Sequence, residues 1–350
     1  MRILVFGEYS GYGAALRDGF NELGIESQVF SLGDGFKSID GDFKLDGRSA
    51  FTKLASFLRL LPRFLEYDLI IVMNPEFFYF KRLGFLTLPL FKLFKKEMIL
   101  LACGDDVPFI KYGKENLIPS WPYQDCDMPS KKHRGKLSEK LATYLVAAAS
   151  RKIVPAMRDY AIGWEKTRFK YKLTKVIPLA CDDPYKNIDL SEYRNSGKLK
   201  ILHGINRPEF KGTKKILNAM YKVAEEYPSK VELVIPDKMN KKDYLRALLY
   251  SDIIIDQTKS MTYGMNAIYG LYANKVVLAP ATSESMEHIS KLDSPFISIE
   301  NDEENIYSEL VSLIQGWEFR ERNEKSRLFA SLVHAPSIIC QAILKQVVNK

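Results

Sequence analysis

The sequence predicts an α/β protein made of two doubly wound, parallel-sheet domains that face a shared cleft. Three observations predict it. Strand-like and helix-like segments alternate from the first residue, the pattern of a parallel sheet covered by helices. The alternation restarts near residue 198, after the polar, turn-rich stretch CDDPYKNIDLSEYRNSGK, which reads as a linker. A length of 350 residues suits two domains of ordinary size better than a single large one.

In order, the first series runs RILVFG, then AALRDGFNELG as a helix, then ESQVFSL, and later DLIIVMN, EMILLAC and RKIVPA with helical stretches between. The second runs KLKILHG, VELVIP, DIIIDQ, KVVLAP and PFISI, each followed by a helical pattern. The expected domains are residues 1–190 and 195–335. The last stretch, SIICQAILKQVVNK in residues 336–350, is amphipathic and starts just after Pro336. It fits either the second domain's core or a helix that crosses back to the first, and the crossing is preferred.

Composition narrows the partners. With 46% hydrophobic and 27% charged residues the chain is a folded globular one. Its 51 Lys and Arg against 43 Asp and Glu give a net charge of +8, which favours anionic partners such as nucleotides, phosphorylated lipids, membrane surfaces or nucleic acid. Cys103, Cys126, Cys181 and Cys340 are scattered without a CxxC, so reduced thiols in a cytoplasmic protein are expected and a zinc site is not. The start, MRILVFGEYSGYG, lacks the pattern of a signal peptide, and no apolar run approaches the roughly 18 to 20 residues that span a bilayer. The expectation is a cytoplasmic protein, at most peripheral on the inner face of the cytoplasmic membrane. The segment KRLGFLTLPLFKLFKK bears on that, since Lys81, Arg82, Lys92, Lys95 and Lys96 flank a Phe- and Leu-rich middle. It suits either a helix lying in an anionic membrane interface or a buried crossover helix with lysines reaching outward. The run FTKLASFLRLLPRFL has a similar character.

The chemistry concentrates at residues 203–213, HGINRPEFKGT. Gly204, Arg207, Lys211 and Gly212 fall within nine residues of a strand end, just before a helix. Strand ends that feed helix N-termini bind anions, because free amide donors and the positive end of the helix dipole point there. A phosphate is the expected ligand. The first loop, GEYSGYG, sets Gly7, Gly11 and Gly13 between the first strand and helix, with Tyr12 among them; a close backbone approach to a ligand and a plain tight turn explain it equally. Its spacing is not GxGxxG, which argues against a nicotinamide or flavin site. The histidines at 133, 203, 288 and 334 form no cluster, and His203 is expected to be structural. No metal-binding motif is present, since Asp105 and Asp106 are adjacent rather than spaced as DxD, so neither metal nor cofactor is expected.

These residues resemble the glycosyltransferases of the GT-B fold, specifically family 4, or group 1. ILHGINRPEFKGTKKILNAM is similar to the phosphate-binding turn that opens the family's second domain, and YLRALLYSDIIIDQTKSMTYGMNAIYGLYANKVVLAP to its donor-binding strand, glycine loop and helix. KVIPLACDDPY resembles the end of its first domain, and LLACGDDVPF occupies the place of a polar turn there. The resemblance implies two Rossmann-like domains and a nucleotide diphosphate sugar as donor. Arg207 and Lys211 would neutralise the diphosphate with Gly204, Gly212 and the amides near Gly264, and Met261, Tyr263, Met265, Asn266 and Tyr269 would line the nucleoside and sugar. Asp106, and less directly Asp105, would meet the transferred sugar or the acceptor hydroxyl. Family members carry two glutamates eight residues apart around the glycine loop, where this chain has Met261 and Tyr269, and Asn274 stands at a usual glycine. The expected activity is metal-independent, retaining sugar transfer to a saccharide or lipid-linked acceptor in bacterial-type surface polysaccharide (for example lipopolysaccharide) assembly, without a nucleic-acid partner. The alternative is a GT-B protein that has lost turnover and serves as a binding subunit of such an assembly. A nucleotide-sugar epimerase of the same fold comes third.

Overall fold

A computed structural model of the chain describes residues 1–32, 41–46, 49–78, 84–126, 128, 134–193, 197–316 and 319–347. It divides into two compact units, one of Met1–Ile118, Met128–Ala180 and Pro336–Lys350, the other of Pro119–Asp127 and Cys181–Ala335.

The first unit is built on β1 (Ile3–Phe6), β2 (Ser27–Ser31), β3 (Phe43–Lys44), β4 (Leu69–Val72), β5 (Glu97–Ala102) and β6 (Lys152–Pro155). All pair in parallel, in the order β3-β2-β1-β4-β5-β6. Ile3, Leu4, Val5 and Phe6 are all buried, as a strand covered on both faces requires of four successive apolar residues. The covering helices are α1 (Tyr12–Glu22), α2 (Ala50–Phe64), α3 (Gly84–Leu93), α4 (Val107–Lys114), α5 (Leu137–Ala149) and α6 (Arg158–Glu165). Phe6, Phe30, Phe57, Phe64 and Phe91 pack with ring centroids 4.8 to 6.2 Å apart, mostly edge to face, the arrangement aromatic quadrupoles favour. Because β2 lies on one side of β1 and β4 on the other, the chain reverses its winding between β1 and β4.

The second unit carries β7 (Leu199–Leu202), β8 (Val231–Val234), β9 (Ile253–Ile255), β10 (Val276–Ala279) and β11 (Ile297–Ser298), parallel and ordered β11-β10-β9-β7-β8. Its helices are α7 (Pro208–Lys211), α8 (Thr213–Glu226), α9 (Lys241–Leu249), α10 (Met265–Tyr272), α11 (Ser283–Ile289), α12 (Glu303–Gly316) and α13 (Phe319–Val333). Ile216, Ala219, Met220 and Val223 recur at helical spacing along α8 and bury against Ile201, Val231 and Ile253 of the sheet. Here the winding reverses between β7 and β9. This unit also takes in residues 181–193, which the sequence places in the first domain and linker. Tyr185 donates to the Leu245 carbonyl at 2.9 Å, and Arg327 reaches the Asp183 carboxylate at 2.7 Å.

The last helix, α14 (Pro336–Val347), belongs to the first unit and packs on α1. A Cβ on Gly19 of α1 would stand 2.5 Å from Pro336 backbone, so the two helices approach as closely as they do only because residue 19 has none. One correction to the sequence concerns length. Lys325–Val347 is long and apolar enough to cross a membrane, at mean hydropathy 1.4, although 44% of its most apolar window is buried. That stretch spans the break at Pro336, and its buried residues Phe329, Ala330, Ile339 and Ile343 are packed as core. Within the basic segment at 81–96, Lys81 and Arg82 lie outside the described residues. The described part is α3 and the turn that leads into β5, with Thr87 and Phe91 buried and Leu93, at the helix end, and Phe94, just past it, exposed.

Candidate functional site

In open α/β sheets, ligands meet the carboxyl ends of the strands where the winding reverses. In the second unit that point lies between β7 and β9, and the stretch at 203–213 leaves the sheet there. His203, the first residue after β7, is fully buried. Its Nδ1–H donates to the Ile255 carbonyl at 2.9 Å and its Nε2 accepts from the Thr213 hydroxyl at 2.9 Å. Burial, with the Lys211 charge adding to it, lowers its pKa to about 4, so the ring is neutral and ties β9 to the first turn of α8. Gly204 follows. A Cβ there would meet the Tyr244 ring at 2.7 Å, so the glycine lets that ring lie on the strand end. Gly212, at φ 73, separates α7 from α8, and a Cβ on it would come 2.1 Å from Thr258 Oγ1.

The two predicted cations take different positions. Arg207 is exposed, stacks over Phe210 at 3.8 Å and donates to the Tyr123 hydroxyl at 2.5 Å. Lys211 is buried, and its Nζ lies 3.2 Å from Asp256 Oδ1. The other oxygen of Asp256 accepts the Gly264 N–H at 2.9 Å. One carboxylate, 1% exposed at the end of β9, therefore holds two of the donors that the sequence assigned to a diphosphate. Asp256 was missed by sequence reasoning, though a carboxylate directly after three isoleucines at a strand end is a readable signal.

The expected nucleoside and sugar residues divide. Met261 and Tyr263 are corrected to core residues. Both are buried, and Tyr263 stacks on Phe296 at 4.1 Å and bonds His334 Nε2 at 2.9 Å. Tyr269 is buried too, with its hydroxyl at the Cys181 thiol and Lys241 over its ring at 5.2 Å. Met265 and Asn266 are half-buried in the first turn of α10. Asn266 accepts from the Tyr244 hydroxyl, while its Nδ2 is buried with no hydrogen-bond partner among the described residues. A buried donor left unmet costs about 1 to 3 kcal/mol. The intervening loop is rigid by its own bonds. Gln257 Nε2 donates to Ser260 Oγ at 2.7 Å and to the Thr262 carbonyl at 3.0 Å.

In the first unit the glycine loop leaves β1 at that unit's own reversal point, while Asp105 and Asp106 follow β5, and all are corrected in role. Asp106 caps α4, accepting Phe109 N–H at 2.9 Å on one oxygen and Trp164 Nε1–H at 2.7 Å on the other. It is fully buried, which raises its pKa to about 7 against the opposing pull of those two bonds. With both oxygens engaged inside the unit, it is a structural cap and not a group offered to a substrate. Asp105 is buried, and its carbonyl accepts from Arg134 at 2.8 Å. The glycine loop wraps the chain's own anion, since Glu8 accepts Gly11 N–H at 2.5 Å and Ala14 N–H at 2.8 Å. Gly11, at φ 90, opens α1, and a Cβ on Gly13 would meet Glu8 Oε2 at 2.7 Å. Tyr12 is core. A carboxylate at a helix N-terminus is stabilised there as a phosphate would be, so Glu8 fills the position read as a ligand approach. Among the described residues no group of three or more His, Cys, Asp or Glu side chains is placed to hold a metal ion.

Two parallel doubly wound units with this strand order define the GT-B class of fold. Comparison with solved structures gives the same class. Anabaena Alr3699/HepE, solved with UDP and glucose, superposes at TM-score 0.65 with 13% identity over 99% of each chain. Sucrose-phosphate synthase from Thermosynechococcus elongatus gives 0.61 with 11% identity, over 99% of this chain and 98% of that one. UDP-GlcNAc 2-epimerase from Neisseria meningitidis, bound to UDP-GlcNAc, gives 0.54 with 15% identity over the whole of both chains. All share the GT-B fold, and at these identities the likeness is one of fold. No family model matches the chain, and no curated protein matches it in sequence.

Proposed function

We propose that the protein is a glycosyltransferase that takes a sugar from a nucleoside diphosphate sugar, bound at the carboxyl ends of β7 and β9, and passes it to a saccharide, free or lipid-linked. The observation that carries this reading is the grouping of Arg207, Lys211, the Gly264 amide and the unmet Asn266 amide at the reversal point of the second sheet. In this reading Arg207, whose fork fits two phosphate oxygens, receives the diphosphate first. Lys211 Nζ and Gly264 N–H then exchange Asp256 for phosphate oxygens. Positive charge at the leaving group is where such a site stabilises transfer. The complexes of HepE with UDP and UDP-glucose support the choice of ligand. Retention of configuration and a role in polysaccharide assembly rest on the family resemblance, and independence of metal on the lack of a DxD motif in the sequence.

A second reading, binding without transfer, is favoured by one observation: Met261 and Tyr269 stand where the family has carboxylates, and both are buried. Incubation with UDP-glucose, UDP-GlcNAc and GDP-sugars, with release of nucleoside diphosphate measured against acceptor saccharides, separates the two. Acceptor-dependent release supports transfer. Tight binding without release supports the second reading, and interconversion of the sugar without release places the chain with the epimerases.

A further inference from the structure

The first unit presents a surface that the donor-site reading does not use. Along α5, Leu137, Leu141 and Leu145 recur every four residues on one face and are 81%, 58% and 48% exposed, while Val146 and Ala147 are buried. Lys172 closes the end of that helix, its Nζ donating to the carbonyls of Ala147, Ala148 and Ser150 at 3.0, 2.7 and 2.7 Å. This fixes residues 166–175, KTRFKYKLTK, beside α5. The segment carries Lys166, Arg168, Lys170, Lys172 and Lys175 and no acid. Phe169 is buried and stacks on Tyr144 of α5 at 6.1 Å, whereas Tyr171 is 72% exposed. α3 packs on α5, and the two helices end at the same edge because they feed the neighbouring parallel strands β5 and β6. At that edge Leu93 and Phe94 are exposed between Lys92 and Lys95. The nearby acids are engaged: Glu97 pairs with Arg151 at 3.0 Å, Glu165 with Arg158 at 2.5 Å, and Glu139 accepts the Lys136 N–H at 3.2 Å.

Exposed leucines and aromatics singly need no explanation, but a leucine face along one helix beside a run of cations without acids does. We propose that this face docks the protein on an anionic phospholipid surface, with the leucine ladder and Tyr171 entering the interface and residues 92–96 and 166–175 meeting the headgroups. The charge excludes a second copy of the chain, which would set cations against cations. Leucines projecting from a helix offer no stacking platform for bases, which sets nucleic acid aside.

The test is sedimentation of the full chain with vesicles of phosphatidylcholine alone or mixed with phosphatidylglycerol. The protein should pellet with the mixed vesicles only, and less as salt rises. Changing Lys166, Lys170 and Lys175 together to glutamate should weaken that partitioning by about a hundredfold or more. Leu141→Ser with Leu145→Ser should weaken it by about tenfold and leave the salt dependence in place. All five side chains are exposed, so melting temperatures should stay at the parental value, and the lysine variant keeps the test open should the leucine variant misfold. Absence of vesicle binding, equal binding to neutral vesicles, or binding unchanged in both variants overturns the proposal. So does capture of a single-stranded oligonucleotide by the same cations with vesicles ignored.

Discussion

Asp256 shows how one side chain decides the state of the proposed donor site. Its carboxylate holds Lys211 Nζ and the Gly264 amide at 3.2 and 2.9 Å, and an incoming phosphate must compete for both. Asp256→Asn keeps the shape and removes the competing charge. It should raise UDP affinity by about tenfold, roughly 1.4 kcal/mol, in a titration calorimeter. The same change leaves a buried lysine without its counter-charge and should lower the stability of the second unit by several kcal/mol. Unchanged or weaker UDP binding by the folded variant would count against the competition. Asp106 is the contrasting case. Its two bonds are a helix cap and a clamp on Trp164, so Asp106→Ala should cost about 2 to 4 kcal/mol of stability in the first unit and leave nucleotide affinity where it was. A loss of affinity at unchanged stability would restore it as a substrate contact. The candidate anion stretch was legible because its spacing marks a strand end entering a helix. The partners of its side chains were not, since Lys211 meets a residue 45 positions away and Arg207 one 84 positions away. Glu8 was visible inside the first glycine loop, yet only the folded loop shows that the anion there is the chain's own.

At the scale of elements, β7, β9 and α8 are joined by His203, and the joint is sensitive to pH. The folded pKa of about 4 lies below the ordinary value of 6.5. The stability from keeping the ring neutral is therefore complete above about pH 6.5 and is lost as pH falls toward 4. The shift is worth about 3 kcal/mol at most. Urea unfolding of the second unit between pH 7 and 4 should show this loss, and His203→Gln should flatten it; an equal slope in both would remove His203 as its source. Gly212 sets the junction of α7 and α8. Gly212→Ala should be strongly destabilising, because it adds left-handed strain to a 2.1 Å approach to Thr258. Most long elements were readable, since strands covered on both faces are continuous apolar runs and α8 repeats its apolar residues at helical spacing. β3 was not, being two residues, Phe43 and Lys44, too short to show a pattern and paired with Phe30 and Ser31. Near Lys81–Lys96 local pattern allowed two readings, because a crossover helix and an interfacial helix share the same periodicity.

For the whole molecule, the chain returns at its end to the unit where it began. Ile339, Cys340, Ile343 and Val347 of α14 are buried, and Cys340 Sγ reaches the Leu16 carbonyl at 3.3 Å. Removing residues 336–350 should therefore expose the apolar face of α1 and lower the melting temperature of the first unit, with nucleotide binding by the second unit retained; an unchanged melt would show that α14 adds nothing to the core. The two-domain α/β class was legible from alternation and its restart, but which unit the final helix joins depends on tertiary packing that no local pattern encodes. The central claim is that the second unit binds a nucleoside diphosphate through Arg207 and its neighbours. Arg207 is exposed, so removing it tests binding without unfolding the site. The direct measurement is calorimetric titration of the parent and of Arg207→Ala with UDP, GDP and the bare nucleosides. The account predicts that the parent binds at least one of the diphosphates, that Arg207→Ala binds it about ten- to a hundredfold more weakly, and that affinity for the bare nucleoside is the same in both. Equal diphosphate binding by parent and variant, or no diphosphate binding by the parent, would contradict it.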